Sequence, residues 1–332
     1  MSGILTGSLE SSGTQRSSAK TIEIDGRGRT RSVAFLVGGK HVMSGDKEGK
    51  IRRWRVEDGM EVGAPMDVGS DIFNIAVSRD GKWVVSGTGK LVHVWKAEGR
   101  EKMSEFEGHS NWVLALDVSP DSKRIASGSG DKTASVWSLS TGQRLLGPWK
   151  HDDWVFAVKF SPDGCFIATA TETFIRIYDS RDGSFLVDVP VRVTHSLNCS
   201  LAWSSNSKRL FAVSSGRIVC LDASTGATLS PRSFHGDKYN CIALASDGTF
   251  IAASSDSSVS FWDATTHKQI GSVVHHTARA GCMAISANHD IVIGGDDRIT
   301  LRSLCDILPP SYCSSVSTFE SRTRFASQQT TP

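Results

Sequence analysis

The chain has 332 residues, 39% of them hydrophobic, with 37 Lys and Arg against 35 Asp and Glu, a formal net charge of +2. That composition belongs to an ordinary folded protein, and so balanced a charge excludes nucleic acid or an anionic membrane as the expected direct partner. No apolar run reaches bilayer-crossing length, and the opening "MSGILTGSLESSGTQRSSA" lacks the basic front and long apolar core of a secretory signal, so the expected location is the cytoplasm, with the nucleus as alternative.

In chain order, residues 1–19 are rich in Ser, Thr and Gly and are expected to be a disordered tail. "KTIEIDG", residues 20–26, is the first alternating, strand-like run. A unit then recurs. Its marker is an alternating run ending in a large residue: "KIRRWRV" (Trp54), "KLVHVWK" (Trp95), "TASVWSL" (Trp137), "FIRIYDS" (Tyr178), "RIVCLDA" (Leu221), "SVSFWDA" (Trp262) and "RITLRSL" (Arg302). Successive markers are 41, 42, 41, 43, 41 and 40 residues apart. A second marker, a turn cluster, travels with the first: "SRDG" at Ser78, "SPDS" at Ser119, "SPDG" at Ser161, "SSNS" at Ser204 and "ASDG" at Ala245. Between markers each unit reads as four short strands joined by tight turns, with no sustained helical spacing.

A period near 40 with four strands per unit is the pattern of a radial propeller, whose sheets bury their faces against one another. The expected fold is all-β, a seven-bladed β-propeller of four-stranded blades over residues 20–308. The last unit, "CMAISANHDIVIGGDDRITLRSL", supplies only three strands, so residues 20–26 should complete it and close the ring. Residues 309–332 are Ser/Thr-rich and expected to be a second disordered tail, where Arg322 and Arg324 precede Ser327 in a pattern that basophilic kinases use.

With seven copies in register, Gly108-His109 in "GHSNWV", Trp262-Asp263, and the variants Tyr178-Asp179 and Leu221-Asp222, the chain resembles the WD-repeat β-propellers. The regular array is similar to those of fungal receptors, although the nucleotide-binding G-x-x-x-x-G-K-[ST] is absent. The resemblance implies a structural staple in blade 3, with Trp137 bonded to Ser127, Ser127 to His109 and His109 to Asp131. Ser, His and Asp also spell a catalytic triad, but this serine lies within a strand and its spacing belongs to the repeat. No catalytic residue is therefore expected. The staple is degenerate elsewhere: blade 1 offers Ser44, Glu48 and Trp54 with Gly26 where histidine belongs, and blade 4 offers His151, Thr169 and Tyr178. Blade 3 should be the most rigid.

No metal and no cofactor is expected: four of the ten histidines, His109, His151, His235 and His276, are one per blade, and no C-x-x-C occurs. The seven cysteines are expected to be buried, reduced thiols. "KIRRWRV" is expected to be a solvated blade face with the arginine and lysine stems packed on neighbours, and the F-R-R-G of phosphoinositide-binding propellers is absent.

Function should reside on the face carrying the loops that enter the innermost strands and in the central channel, whose mouth the residues five past the histidine position should line. Three residues past the histidine position fall Arg29, Asp71, Trp112, Trp154, Leu197, Lys238 and Arg279; five past it fall Arg31, Phe73, Leu114, Phe156, Cys199, Asn240 and Gly281. Aromatic anchors beside arginines favour a protein interface. The expected partner-binding set is Arg29, Arg31, Phe73, Trp112, Trp154, Phe156, Lys238, Asn240 and Arg279. The expected function is a non-catalytic scaffold, a monomeric propeller within a complex that binds a protein or peptide. A propeller-framed enzyme or small-molecule binder, and a subunit of a chromatin or RNA-processing assembly, are the alternatives.

Overall fold

The computed structural model describes residues 21–193, 201–229 and 239–313. Seven antiparallel sheets follow one another in chain order: six have four strands, and blade 5 has three among the described residues. Blade 3 is typical, with strands Val113–Val118, Arg124–Ser129, Thr133–Ser138 and Arg144–Lys150 running from the axis to the rim. Its inner strand is almost wholly buried and its rim strand mostly exposed. That gradient explains why clean two-residue alternation weakens towards the axis, where neighbouring blades cover both faces.

Seven apolar clusters hold the described ring, each spanning one pair of neighbouring blades. Between blades 1 and 2, Met43 and Ile51 meet Ile72, Val84 and Trp95. Between blades 7 and 1, Ile24, Val33, Val42 and Trp54 meet Val292, Ile299 and Leu301. Ile24 belongs to strand Thr21–Asp25, which pairs antiparallel with Arg298–Ser303, Thr21 opposite Arg302 and Asp25 opposite Arg298. The first described strand thus completes the last blade, as the three-strand count of that unit required.

An inner strand has only one neighbour in its own sheet, so its other edge needs partners from elsewhere. Polar side chains of the preceding blade supply some of them. The Ile75 amide donates to Ser32 Oγ at 3.1 Å, the Leu116 amide to Asn74 Oδ1 at 3.1 Å, and the Phe160 amide to Asp117 Oδ2 at 2.8 Å.

The described chain continues past residue 308. A 3-10 turn at Pro310–Tyr312 lays Tyr312 edge-on to Phe250, and the Tyr312 hydroxyl donates to Asp263 Oδ2 at 2.6 Å. Ile307, Tyr312 and Cys313 pack against the apolar cluster between blades 6 and 7.

Candidate partner-binding face

Blade 3 carries the complete polar chain. Trp137 Nε1 donates to Ser127 Oγ at 2.7 Å, His109 Nε2 lies 2.8 Å from Ser127 Oγ, and His109 Nδ1 lies 2.9 Å from Asp131 Oδ2. Thr133 Oγ1 and the Ser110 amide also donate to the Asp131 carboxylate. Burial alone would raise the Asp131 carboxyl, but the hydrogen bonds from His109 and Thr133 outweigh it and hold it far below the usual carboxylate range. The serine side chain is fully buried in mid-strand, where no substrate could reach it. A Cβ on Gly108 would sit 2.0 Å from the Trp137 ring, so the glycine before the histidine is required by that close approach.

Other blades keep fragments. Trp54 donates to Ser44 Oγ at 2.8 Å in blade 1, and Trp95 to Ser86 Oγ at 3.2 Å in blade 2. In blade 7 His276 Nδ1 meets Thr300 Oγ1 at 2.7 Å. In blade 4 the Arg176 guanidinium lies 3.5 Å from His151 Nδ1; burial, then that cation, depresses the His151 pKa to about 4.

Five of the face residues join into one ridge across blades 1 to 4. Arg31 pairs with Asp71 at 3.0 Å and its guanidinium lies 5.2 Å from the Phe73 ring centroid. Phe73 stacks on Trp112 at 5.4 Å, Trp112 meets Trp154 edge-to-face at 6.1 Å, and Trp154 reaches Phe156 at 6.0 Å. Phe73, Leu114 and Phe156 form a small buried cluster beneath. The two tryptophans above it are 46% and 36% exposed. Burial lifts the Asp71 carboxyl above its ordinary range, and Arg31 partly offsets that lift.

The remaining residues lie apart from the ridge. Arg29 is exposed and pairs loosely with Asp296 of blade 7 at 3.9 Å. Arg279 is exposed, on a loop whose backbone runs so close to Gly295 that a Cβ there would lie 1.5 Å from the Arg279 carbonyl oxygen. Asn240 is half-buried, and its amide donates to the Ser254 carbonyl. Lys238, Leu197, Cys199, His235 and the Arg322–Ser327 stretch lie outside the described residues.

Two expectations are corrected. "KIRRWRV" is not a solvated face throughout: half-buried Arg52 lies between Glu61 at 3.2 Å and Asp46 at 3.5 Å, and half-buried Arg53 donates to His41 Nδ1 at 3.1 Å. The rim of blade 1 is interrupted: Met66–Asp67 is only two residues long, and Glu61, which pairs with Arg52, is brought beside Trp54 by an isolated bridge. The cysteines are not uniformly buried either: Cys165 and Cys305 are exposed and Cys313 is half-buried.

Sequence reasoning also missed a rim cavity of about 600 Å³ between blades 2 and 3, lined by Trp83, Val94, Met103, Leu145 and the Lys123 and Arg124 stems. Among the described residues no three His, Cys, Asp or Glu side chains gather as a metal site requires, and no helix is long and apolar enough to cross a membrane.

The family profile described as "WD domain, G-beta repeat" matches residues 67–96, 100–138, 144–179 and 229–263. The chain is 28% identical over 194 residues to a kinesin-like protein of Homo sapiens, an alignment covering 57% of this chain and 10% of that one. It is 26% identical over 241 residues to eukaryotic translation initiation factor 3 subunit I of Homo sapiens, covering 68% and 73% respectively. Protein FIZZY-RELATED 3 of Arabidopsis thaliana is 32% identical over 103 residues, 30% of this chain and 21% of that one. The chain therefore spans only a tenth of the kinesin-like protein's length but most of the initiation factor subunit's. Profile matches in four repeats, together with seven blades closed by an N-terminal strand, establish that the chain belongs to the WD-repeat β-propeller family.

Proposed function

We propose that the protein is a non-catalytic scaffold that binds a protein or peptide on the face bearing the Arg31–Phe73–Trp112–Trp154–Phe156 ridge. The observation that carries this reading is the exposure of Trp112 and Trp154, 46% and 36%, on top of a buried aromatic base. Large rings held rigid by neighbours lose little conformational freedom on binding, which makes them good anchors. Arg31, held by Asp71 and Phe73, adds a preorganised cation at one end. The likeness to a translation initiation factor subunit supports work within a larger assembly in the cytoplasm.

The test is affinity capture from native extract, comparing the wild type with the Trp112→Ala/Trp154→Ala variant after equal melting curves establish that both fold. Proteins captured by the wild type and lost from the variant support the reading. An identical captured set would show that the tryptophans serve packing alone and that partners engage another surface.

A further inference from the structure

The turns that enter the second strand and leave the third strand of each blade lie at the opposite end of the ring from the aromatic ridge. At that end the chain itself fills the crevice between blades 6 and 7. After Leu304 the backbone doubles back, and Ile307, Leu308 and Tyr312 pack into the cluster that holds Phe250, Phe261 and Ile270. A Cβ on Gly271 would lie 2.8 Å from the Ile307 carbonyl oxygen, so the rim strand of blade 6 has a glycine where this segment crosses it. The rim cavity between blades 2 and 3 has matching walls. Phe250 stands opposite Asp263 and Trp83 opposite Lys96, while Trp262 stands opposite Gln269 and Trp95 opposite Lys102. By that register Trp83, Val94 and Met103 of the cavity are the counterparts of Phe250, Phe261 and Ile270. Phe250 is fully buried with Tyr312 against it, whereas Trp83 is half-buried and Met103 is 44% exposed.

One other segment of the sequence is built like the filling. "ILPPSYCSS", residues 307–315, is matched by "ILTGSLESS", residues 4–12, and Ile-Leu occurs nowhere else in the chain. The serines would recur in any Ser-rich stretch. The match is carried by the aliphatic pair, the turn residues Pro309-Pro310 or Thr6-Gly7, and the large side chain of Tyr312 or Leu9. The Tyr312 hydroxyl donates to Asp263, but Lys96 holds that position in blade 2 and offers no acceptor, which suits a leucine.

We propose that residues 4–9 dock in the cavity between blades 2 and 3 as residues 307–312 dock between blades 6 and 7. Ile4 and Leu5 then cover Met103 and Leu145, Leu9 lies on Trp83, and Glu10 meets Lys123 on the cavity wall. The linking chain is long enough. Thr21 stands opposite Arg302, at the same end of its blade as the turns that line the cavity. Twelve residue steps separate Leu9 from Thr21 and span about 40 Å when extended. Around the ring the cavity lies two to three sheet spacings away, each of about 10 Å and wider at the rim.

The test uses the full-length protein and hydrogen peroxide, with methionine sulfoxide read by mass spectrometry at Met103 and, for reference, at Met60, which is 60% exposed on blade 1. In Ile4→Asp/Leu5→Asp, Met103 should oxidise several-fold faster than in the wild type while Met60 keeps its rate. Equal Met103 rates in the two proteins, or an increase that Met60 shares, would overturn the proposal. A second measurement places p-benzoylphenylalanine at position 9 and irradiates the protein. The expected product is an intramolecular cross-link from tryptic peptide 1–16 to peptide 83–90 or 103–123. Cross-links to other peptides alone, or only between two copies in a dimer, would show that the segment does not dock on its own ring.

Discussion

At the scale of single residues, the staple of blade 3 makes a sharp stability prediction. Ser127 Oγ serves both Trp137 and His109. Ser127→Ala leaves two buried polar groups without that partner and should cost about 2–6 kcal/mol, taking about 1–3 kcal/mol for each such group. Asp131→Asn should lower the melting temperature clearly, because the carboxylate serves His109, Thr133 and the Ser110 amide. Glu48→Gln, at the matching position of blade 1, should change little, since Glu48 is exposed. Equal losses in calorimetric melts of the Asp131 and Glu48 variants would refute blade 3 as the best-fastened blade. The staple's residue types were legible because a fixed spacing repeats them. Asp46 and Arg52 were not, because no fixed spacing in the repeat marks an acid and an arginine on these two adjacent strands as partners.

At the scale of elements, the closing strand is the part on which the ring most depends. Removing residues 1–26 deletes Thr21–Asp25, strips Ile24 from the blade 7 to blade 1 cluster, and bares the edge of Arg298–Ser303. The truncated protein should melt lower and associate through the bared edge. A monomer by size-exclusion chromatography with an unchanged melting temperature would overturn this. Strand order and closure were readable from period and count alone. The amide contacts to Ser32, Asn74 and Asp117 were not, because a polar residue in an inner strand looks the same from sequence whether it faces water or a neighbouring blade's backbone. The ridge was half legible: two fixed offsets from the histidine position picked out Trp112 and Trp154, and Phe73 and Phe156, while their mutual stacking and the Arg31–Asp71 pair depend on the angle between blades.

At the scale of the whole molecule, acid should loosen the ring. Burial depresses His93, His151 and His276, and His151 falls to about 4. A histidine whose folded pKa lies below its unfolded value is neutral in both states above about pH 6.5, where it carries no penalty. As pH falls from about 6.5 towards 4, the unfolded chain binds the proton first, and His151 alone should remove up to about 1.4 kcal/mol per pH unit. Melting temperature should therefore drop over that interval, and His151→Gln should flatten the drop; parallel curves for variant and wild type would refute the assignment. Ring closure also has a consequence in time. Strand Thr21–Asp25 is synthesised early and its partner Arg298–Ser303 about 270 residues later. At roughly 5–20 residues per second that is a delay of roughly 15–55 s, during which Trp54, Val42 and Ile24 lack the blade 7 surface that covers them. Until the last blade is made, the apolar face of blade 1 lacks the partner that covers it in the closed ring.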